Sequence, residues 1–230
     1  MVKKADIPFH LLRTALDIAA ESGWDAVGPH AVAERAGVDL VEVYRHYPDR
    51  DAFLTGLSRW VDEQMLSRAD VEESEAPRDR LFEVMMSRFD ALGEMREGVI
   101  AVLDGLRRDP AGAARLLPAV ERSMRWALEA AGMPPQGLIG RAKVKALGLI
   151  YLDLLRTWSR DDSPDLAHTM KAVDKRLNQA EQFANTFERR APGRRRGGEA
   201  GPAPDGEPAE PPSAETDGSA GRASEAGPLG

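Results

Sequence analysis

The chain has no cysteine in its 230 residues. That excludes a disulfide framework, a thiolate nucleophile and a thiolate metal site, and it suits a reducing compartment. Aromatics make up only 6% of the sequence, and no stretch shows the apolar–polar alternation between turn signals that marks hairpins. No apolar run approaches the roughly 20 residues that span a bilayer. The opening MVKKADIPFHLLRT has two lysines but no apolar stretch before Asp6 and Pro8, so no secretory signal is read there. Positive charge is not in excess. The formal net charge of −7 gives no global attraction to nucleic acid or to an anionic membrane, so either would need a local patch. The histidines, His10, His30, His46 and His168, show no paired ligand spacing, and no phosphate loop, GxSxG elbow or HExxH helix is present. An enzyme, a metal site and a cofactor are therefore not expected; a soluble cytoplasmic protein is.

What is present is a helical pattern. With 42% hydrophobic and 30% charged residues, the chain can bury one or two cores. Apolar positions recur at spacings of three and four up to about residue 190, which predicts an all-α fold. Asp6 and Pro8 suit the start of a first helix, with Leu12, Leu16 and Ala19 on one face and Gly23 as its stop. Gly28-Pro29 opens a short second helix that Gly37 ends. Asp39 is expected to cap a third, with Glu42 at the reciprocal capping-box position, and Pro48 closes it. A fourth begins near Asp49 and buries Phe53, Leu57, Trp60 and Val61. RADVEESEAP, residues 68–77, reads as a polar linker or frayed end. Further helices are expected over 78–93, 98–108, 113–131, 138–160 and 164–189, the last with Ser163 as cap and Pro164 in its first turn. Residues 191–230 hold 9 Gly, 7 Pro, 8 Ala and 3 Ser, too little apolar surface to offset ordering, so a disordered tail is expected from about residue 190. Its RRAPGRRR run reads as a solvated charged stretch or a nucleic-acid or lipid contact.

Two short helices joined across AERAGV, residues 33–38, after a longer one make a helix-turn-helix. The run LLRTALDIAAESGWDAV, AVAERAGV and VYRHYPDRDAFL resembles the N-terminal domain of the tetracycline-repressor (TetR) family over about residues 9–57. The resemblance implies a helix-turn-helix domain at 6–60, a helical ligand-binding and dimerisation domain at 78–189, and a homodimeric, effector-responsive repressor of a palindromic operator. It also implies DNA contacts from His30, Leu40, Val41, Tyr44, Arg45, His46 and Arg50. Where the family favours small polar residues and lysine, this chain has Asp39, Leu40, Val41 and Glu42, and residues 1–60 carry seven Lys or Arg against nine Asp or Glu. Read structurally, Tyr44 packs and Arg45 pairs with Glu42 or Asp49.

The later helices add a second likeness. RDRLFEVMMSRFDAL, SMRWALEAAGM and DDSPDLAHTM resemble the TetR-like lipid-binding family of ubiquinone biosynthesis, which implies a rival reading as a lipid- or isoprenoid-binding accessory protein that no longer binds DNA. Methionines and aromatics concentrate here, so Met85, Arg88, Phe89, Met124, Tyr151 and Trp158 are candidates for a pocket that takes a small apolar effector, with His168 as a further polar fixture. The same residues read equally as core. Leu166, Met170, Val173, Leu177, Ala180, Phe183 and Phe187 form one stripe, and with Leu147, Ile150, Leu154, Leu155 and Trp158 it is expected to build a dimeric four-helix bundle. Phe183 and Phe187 beside Arg189 and Arg190 also suit a membrane surface.

Overall fold

In a computed structural model, residues 6–69 and 74–190 are described, and they form ten α-helices and one 3-10 turn with no strand among them. The first helix, α1 (Ile7–Ser22), has Pro8 in its first turn, where a missing N–H leaves no helical bond unmade. Leu11, Leu12, Ala15, Leu16 and Ala19 form its buried stripe, and Gly23 at φ 86° ends it. The 3-10 turn Trp24–Ala26 tucks Trp24 into the core. Helices α2 (Pro29–Ala36) and α3 (Leu40–His46) are joined through Gly37 at φ 66° and ψ 36°, a left-handed conformation that costs glycine nothing. Then α4 (Arg50–Arg68) opens with the Asp49 carboxylate accepting from the Ala52 N–H at 2.8 Å.

The rest is α5 (Pro77–Gly93), α6 (Arg96–Arg108), α7 (Pro110–Arg115), α8 (Leu117–Ala130), α9 (Gly137–Trp158) and α10 (Ala167–Arg190). The single helix expected over 113–131 is in fact two. Asp109 caps α7 by accepting from the Gly112 N–H at 2.8 Å. Pro118 sits in the first turn of α8, because within a continuous helix it would lose a bond and clash with the preceding turn. The last helix starts at Ala167 rather than at Pro164. Leu166 takes φ 52°, and the Ser163 hydroxyl accepts from the Ala167 N–H at 2.9 Å across the intervening turn.

Packing joins α1 to α2 and α6, α4 to α5 and α8, α9 to α8, and α10 to both α5 and α9. One buried apolar cluster runs from Leu11 to Leu177. The stripe expected to meet a second protomer is largely used inside this one: Val173 and Leu177 of α10 and Leu147, Leu154, Leu155 and Trp158 of α9 are buried. The cause is that α10 covers α5 and α9 of its own chain. Leu149, Met170 and Phe183 stay exposed. The side chains of Phe187, Arg189 and Arg190, the rest of the RRAPGRRR run and the tail expected to be disordered lie outside what is described. No helix among the described residues is long and apolar enough to cross a membrane.

Candidate functional site

The helix-turn-helix is held from below. Val32 and Ala33 of α2 and Val43 of α3 are buried in a core shared with α1. Just past α3, the Tyr47 hydroxyl donates to the Pro8 carbonyl at 3.0 Å, and its ring stacks on Phe53 of α4 at 4.5 Å. Gly56 makes room for that ring, since a Cβ there would lie 2.5 Å from it. Burial pushes the Tyr47 phenol up to about 12. The end of α3 is therefore clamped to the starts of α1 and α4.

Outward from this support stand His30 on α2 and Leu40, Val41, Tyr44, Arg45 and His46 on α3, all exposed. Leu40, Val41 and Tyr44 flank a shallow apolar groove with Pro29 and Pro48. Tyr44 is 67% exposed, so it does not pack. Arg45 donates to Glu42, as its structural reading had it. Arg50 pairs with Asp25 at 3.2 Å and lies over the Trp24 ring. The expected capping box does not form. Asp39 occupies the cap position but its carboxylate makes no capping bond, and Glu42 turns to Arg45, a charged donor that makes a stronger bond than a neutral N–H.

The local charge is unfavourable to a polyanion. Residues 6–60 hold five arginines against nine acids, and Arg35, Arg45 and Arg50 are in ion pairs. Exposed pairs of this kind are weak, because water screens them.

A cavity of about 540 Å³ lies between α4 and α9, walled by aliphatic side chains such as Leu54, Val61, Val102, Leu106, Val120 and Leu155. That volume suits a small ligand, for which pockets run roughly 300–1,000 Å³. Its polar lining is Ser58, Arg88 and Tyr151, together with the exposed Arg107 and Arg156. Arg88 is buried and ion-paired through Nη1 with Asp62 of α4, which is also buried. Its Nη2 donates to Ser123 Oγ at 3.2 Å, Ser123 donates to Asp62 at 2.8 Å, and Ser58 Oγ is 2.9 Å from Ser123 Oγ. The guanidinium carbon stands 4.8 Å over the Tyr151 ring. Burial works against the charge of Arg88, but Tyr151 and Asp62 outweigh it and raise its pKa. The Nε–H of Arg88 is buried as well.

Of the residues expected to hold a ligand, Arg88 and Tyr151 line the cavity. Met85, Phe89, Met124 and Trp158 do not; they are fully buried core. Phe89, for example, is enclosed by Tyr151 at 5.9 Å and Trp158 at 6.5 Å. His168 is an exposed residue beside Asp161 at 3.2 Å, far from this role. Sequence reasoning missed Ser58, Asp62 and Ser123. A signal for the first two was present, because Ser58 and Asp62 lie one turn apart beside the apolar stripe Leu54, Leu57, Val61 and Met65.

No family model and no curated protein matches the chain. Solved structures do. A TetR transcriptional regulator from Nitrosomonas europaea aligns with a TM-score of 0.62 at 23% identity, over 76% of this chain and 98% of its own. A TetR-family transcriptional regulator from Streptomyces coelicolor gives 0.52 at 19%, over 77% and 98%. GusR of Salmonella enterica gives 0.51 at 16%, over 78% and 97%. At these identities the likeness shows the fold, and the chain has the all-α TetR fold. None of these three is named for ubiquinone biosynthesis.

Proposed function

We propose that this protein is a DNA-binding transcriptional regulator of the TetR type, a cytoplasmic repressor that leaves its operator when a small apolar effector fills the α4–α9 cavity. The observation that carries the reading is the double use of α4. Its first turns support α3 through the Tyr47–Phe53 stack, and its middle lines the cavity with Leu57, Ser58 and Val61. A ligand that displaces α4 therefore moves α3. In this reading residues 6–60 carry the DNA-facing helices, and residues 78–189 hold the effector together with Leu54, Leu57, Ser58 and Val61 of α4. Leu40, Val41 and Tyr44 meet base edges, where aliphatic groups suit thymine methyls. Arg45, Arg50, His30 and His46 meet phosphate or base edges.

The proposed assembly is a homodimer on a palindromic site, because DNA-reading helices of this kind bind paired half-sites. The surface for it is the apolar remainder of α9 and α10, with Leu149 and Phe183 both more than 70% exposed. The excess of acids around α3 favours a rival, in which the cavity carries a lipid or isoprenoid and α3 has no DNA role.

Selection of genomic fragments by the purified protein, followed by salt titration, separates the two. The regulator enriches a palindromic site, and light scattering reports a dimer. Enrichment no better than random DNA overturns the regulator and leaves the carrier.

A further inference from the structure

We infer that the cavity takes an amphipathic organic anion, with an apolar body inside and one carboxylate held at the rim by Arg156. The inference rests on reading this cavity as a ligand site, and it does not depend on DNA binding.

Charge on the cavity wall has one sign. Acids outnumber bases 38 to 31 in the chain, yet among the described residues the wall carries Arg88, Arg107 and Arg156 and no Asp or Glu. These arginines are not equivalent. Arg88 is buried and its charge is matched by Asp62, so a charged group taken into the interior would shed its water without compensation. With aliphatic side chains around it, the interior suits the body of a ligand and not its head. Arg107 is exposed and pairs with Asp104 on its own helix. Arg156 is exposed as well, and its guanidinium has no ion pair or hydrogen bond among the described residues. Helix geometry sets where this free charge stands. Leu152 and Arg156 are one turn apart on α9 and both line the cavity, so they share a face. The stem of Arg156 extends the apolar wall, and its charged end meets water, as long basic side chains do at apolar edges. The acid closest before it on α9, Asp153, is engaged by Arg176 at 2.6 Å. An anion at this rim meets a cation without being buried, and a carboxylate matches the guanidinium fork. A neutral head gains less there, and an ammonium is repelled.

The test is calorimetric titration, with thermal shift, of the full chain without DNA. Two matched sets of probes keep the body constant and change only the head: decanoate, decanol and decylammonium, and biphenylcarboxylate, biphenylmethanol and biphenylmethylammonium. In at least one set the carboxylate is expected to bind about fivefold more tightly than the alcohol at low salt. The ammonium should be weakest, and the margin should shrink as salt rises. Arg156→Gln should bring the carboxylate down to the level of the alcohol. Arg160→Gln, which removes the same charge from an exposed residue off the cavity wall, should keep the margin. Because Arg156 is exposed and its guanidinium unpartnered among the described residues, its variant is expected to melt with wild type. Alcohols or ammonium ions that bind as tightly as the carboxylates in both sets, a margin that survives Arg156→Gln, or sets of which no member binds, overturn the inference. A protein that prefers the carboxylates yet selects no DNA keeps the inference and loses the regulator; one that selects an operator but favours the alcohols does the reverse.

Discussion

Gly98 on α6 lies so close to α1 that a Cβ at that position would stand 2.5 Å from the carbonyl oxygen of Leu16. Seven residues on, and so on the same helical face, a Cβ at Gly105 would stand 2.6 Å from Cβ of Trp24. Another face of α6 presents Val99, Val102, Leu103 and Leu106 to the cavity. One helix is thus a wall of the cavity and a bed for the helix-turn-helix, with no flexible side chain between backbones to absorb a shift.

Replacing Gly98 by Ala forces α1 and α6 apart, because neither a carbonyl oxygen nor a Cβ can rotate away. Overpacking of this kind costs about 1–3 kcal/mol, or roughly 2–12 °C in Tm for a chain of this size. Gly93→Ala, where the added methyl meets open space, is the control and should be neutral or slightly stabilising. Equal melting of Gly98→Ala and wild type would remove the close contact from the account.

Two aspartates at helix starts should behave differently. The Asp49 carboxylate accepts from the Ala52 N–H, whereas that of Asp39 accepts no capping bond. Asp49→Ala is expected to cost about 1 kcal/mol, the usual value of a cap, and Asp39→Ala no more than a few tenths from the helix dipole. Chemical denaturation midpoints of the two variants check this. A loss as large at Asp39 as at Asp49 would restore the cap that the sequence pattern suggests.

Arg88 and Asp62 are both buried and paired. Arg88→Met leaves an uncompensated carboxylate in the core and should cost about 3–5 kcal/mol. The double variant Asp62→Leu/Arg88→Met should recover most of that, because no buried charge remains. A double-mutant cycle on urea midpoints reads the coupling, and strict additivity would mean that the two side chains do not compensate each other.

The order of elements was legible because the sequence carries its own punctuation: Gly23, Gly28-Pro29, Gly37 and Pro48 stand where helices break. Pro118 carried the same information, and only a break there reconciles its missing N–H with two helices. The turn at Leu166 left no such mark, because a non-glycine at positive φ is set by the bonds around it. Apolar spacing also showed which residues are buried without showing against what. Met85 and Phe89 satisfy a helical stripe whether they enclose a ligand or each other, and α10 could cover its own chain or a partner. The polar network was hidden for another reason: Asp62, Arg88 and Ser123 lie far apart in sequence and meet only through packing of α4, α5 and α8.

For the regulator proposed above, Glu42→Gln should strengthen operator binding, by freeing Arg45 and removing an acid from the surface proposed to face DNA, while leaving Tm almost unchanged because the pair is exposed. Arg45→Ala should weaken binding. If Arg45 meets phosphate, the slope of log affinity against log salt falls by about one unit with sequence preference retained. Fluorescence anisotropy across a salt series measures both. Unchanged affinity in both variants would take α3 out of DNA recognition.

The pH dependence of stability has two identifiable limbs. Asp161 is buried and accepts from the N–H and hydroxyl of Thr169, each at 2.7 Å, and from the N–H and hydroxyl of Ser163. Burial alone would raise its pKa, but these hydrogen bonds outweigh it and hold the carboxyl well below the usual range. A depressed carboxyl stabilises the fold above its unfolded pKa of about 4 and loses that contribution as the pH falls further. Tyr47 works in the opposite sense. With its phenol raised from 10.0 to about 12, its contribution is complete below pH 10 and is lost as the pH climbs through that interval. In each window a single group adds at most about 1.4 kcal/mol per pH unit to the slope. Urea midpoints from acid to alkaline pH should therefore fall less steeply below about pH 4 in Asp161→Asn than in wild type. Above pH 10 they should fall less steeply in Tyr47→Phe, which also loses about 1 kcal/mol at neutral pH with its bond to Pro8. Variant curves that run parallel to wild type in these windows would mean that neither group couples folding to protons.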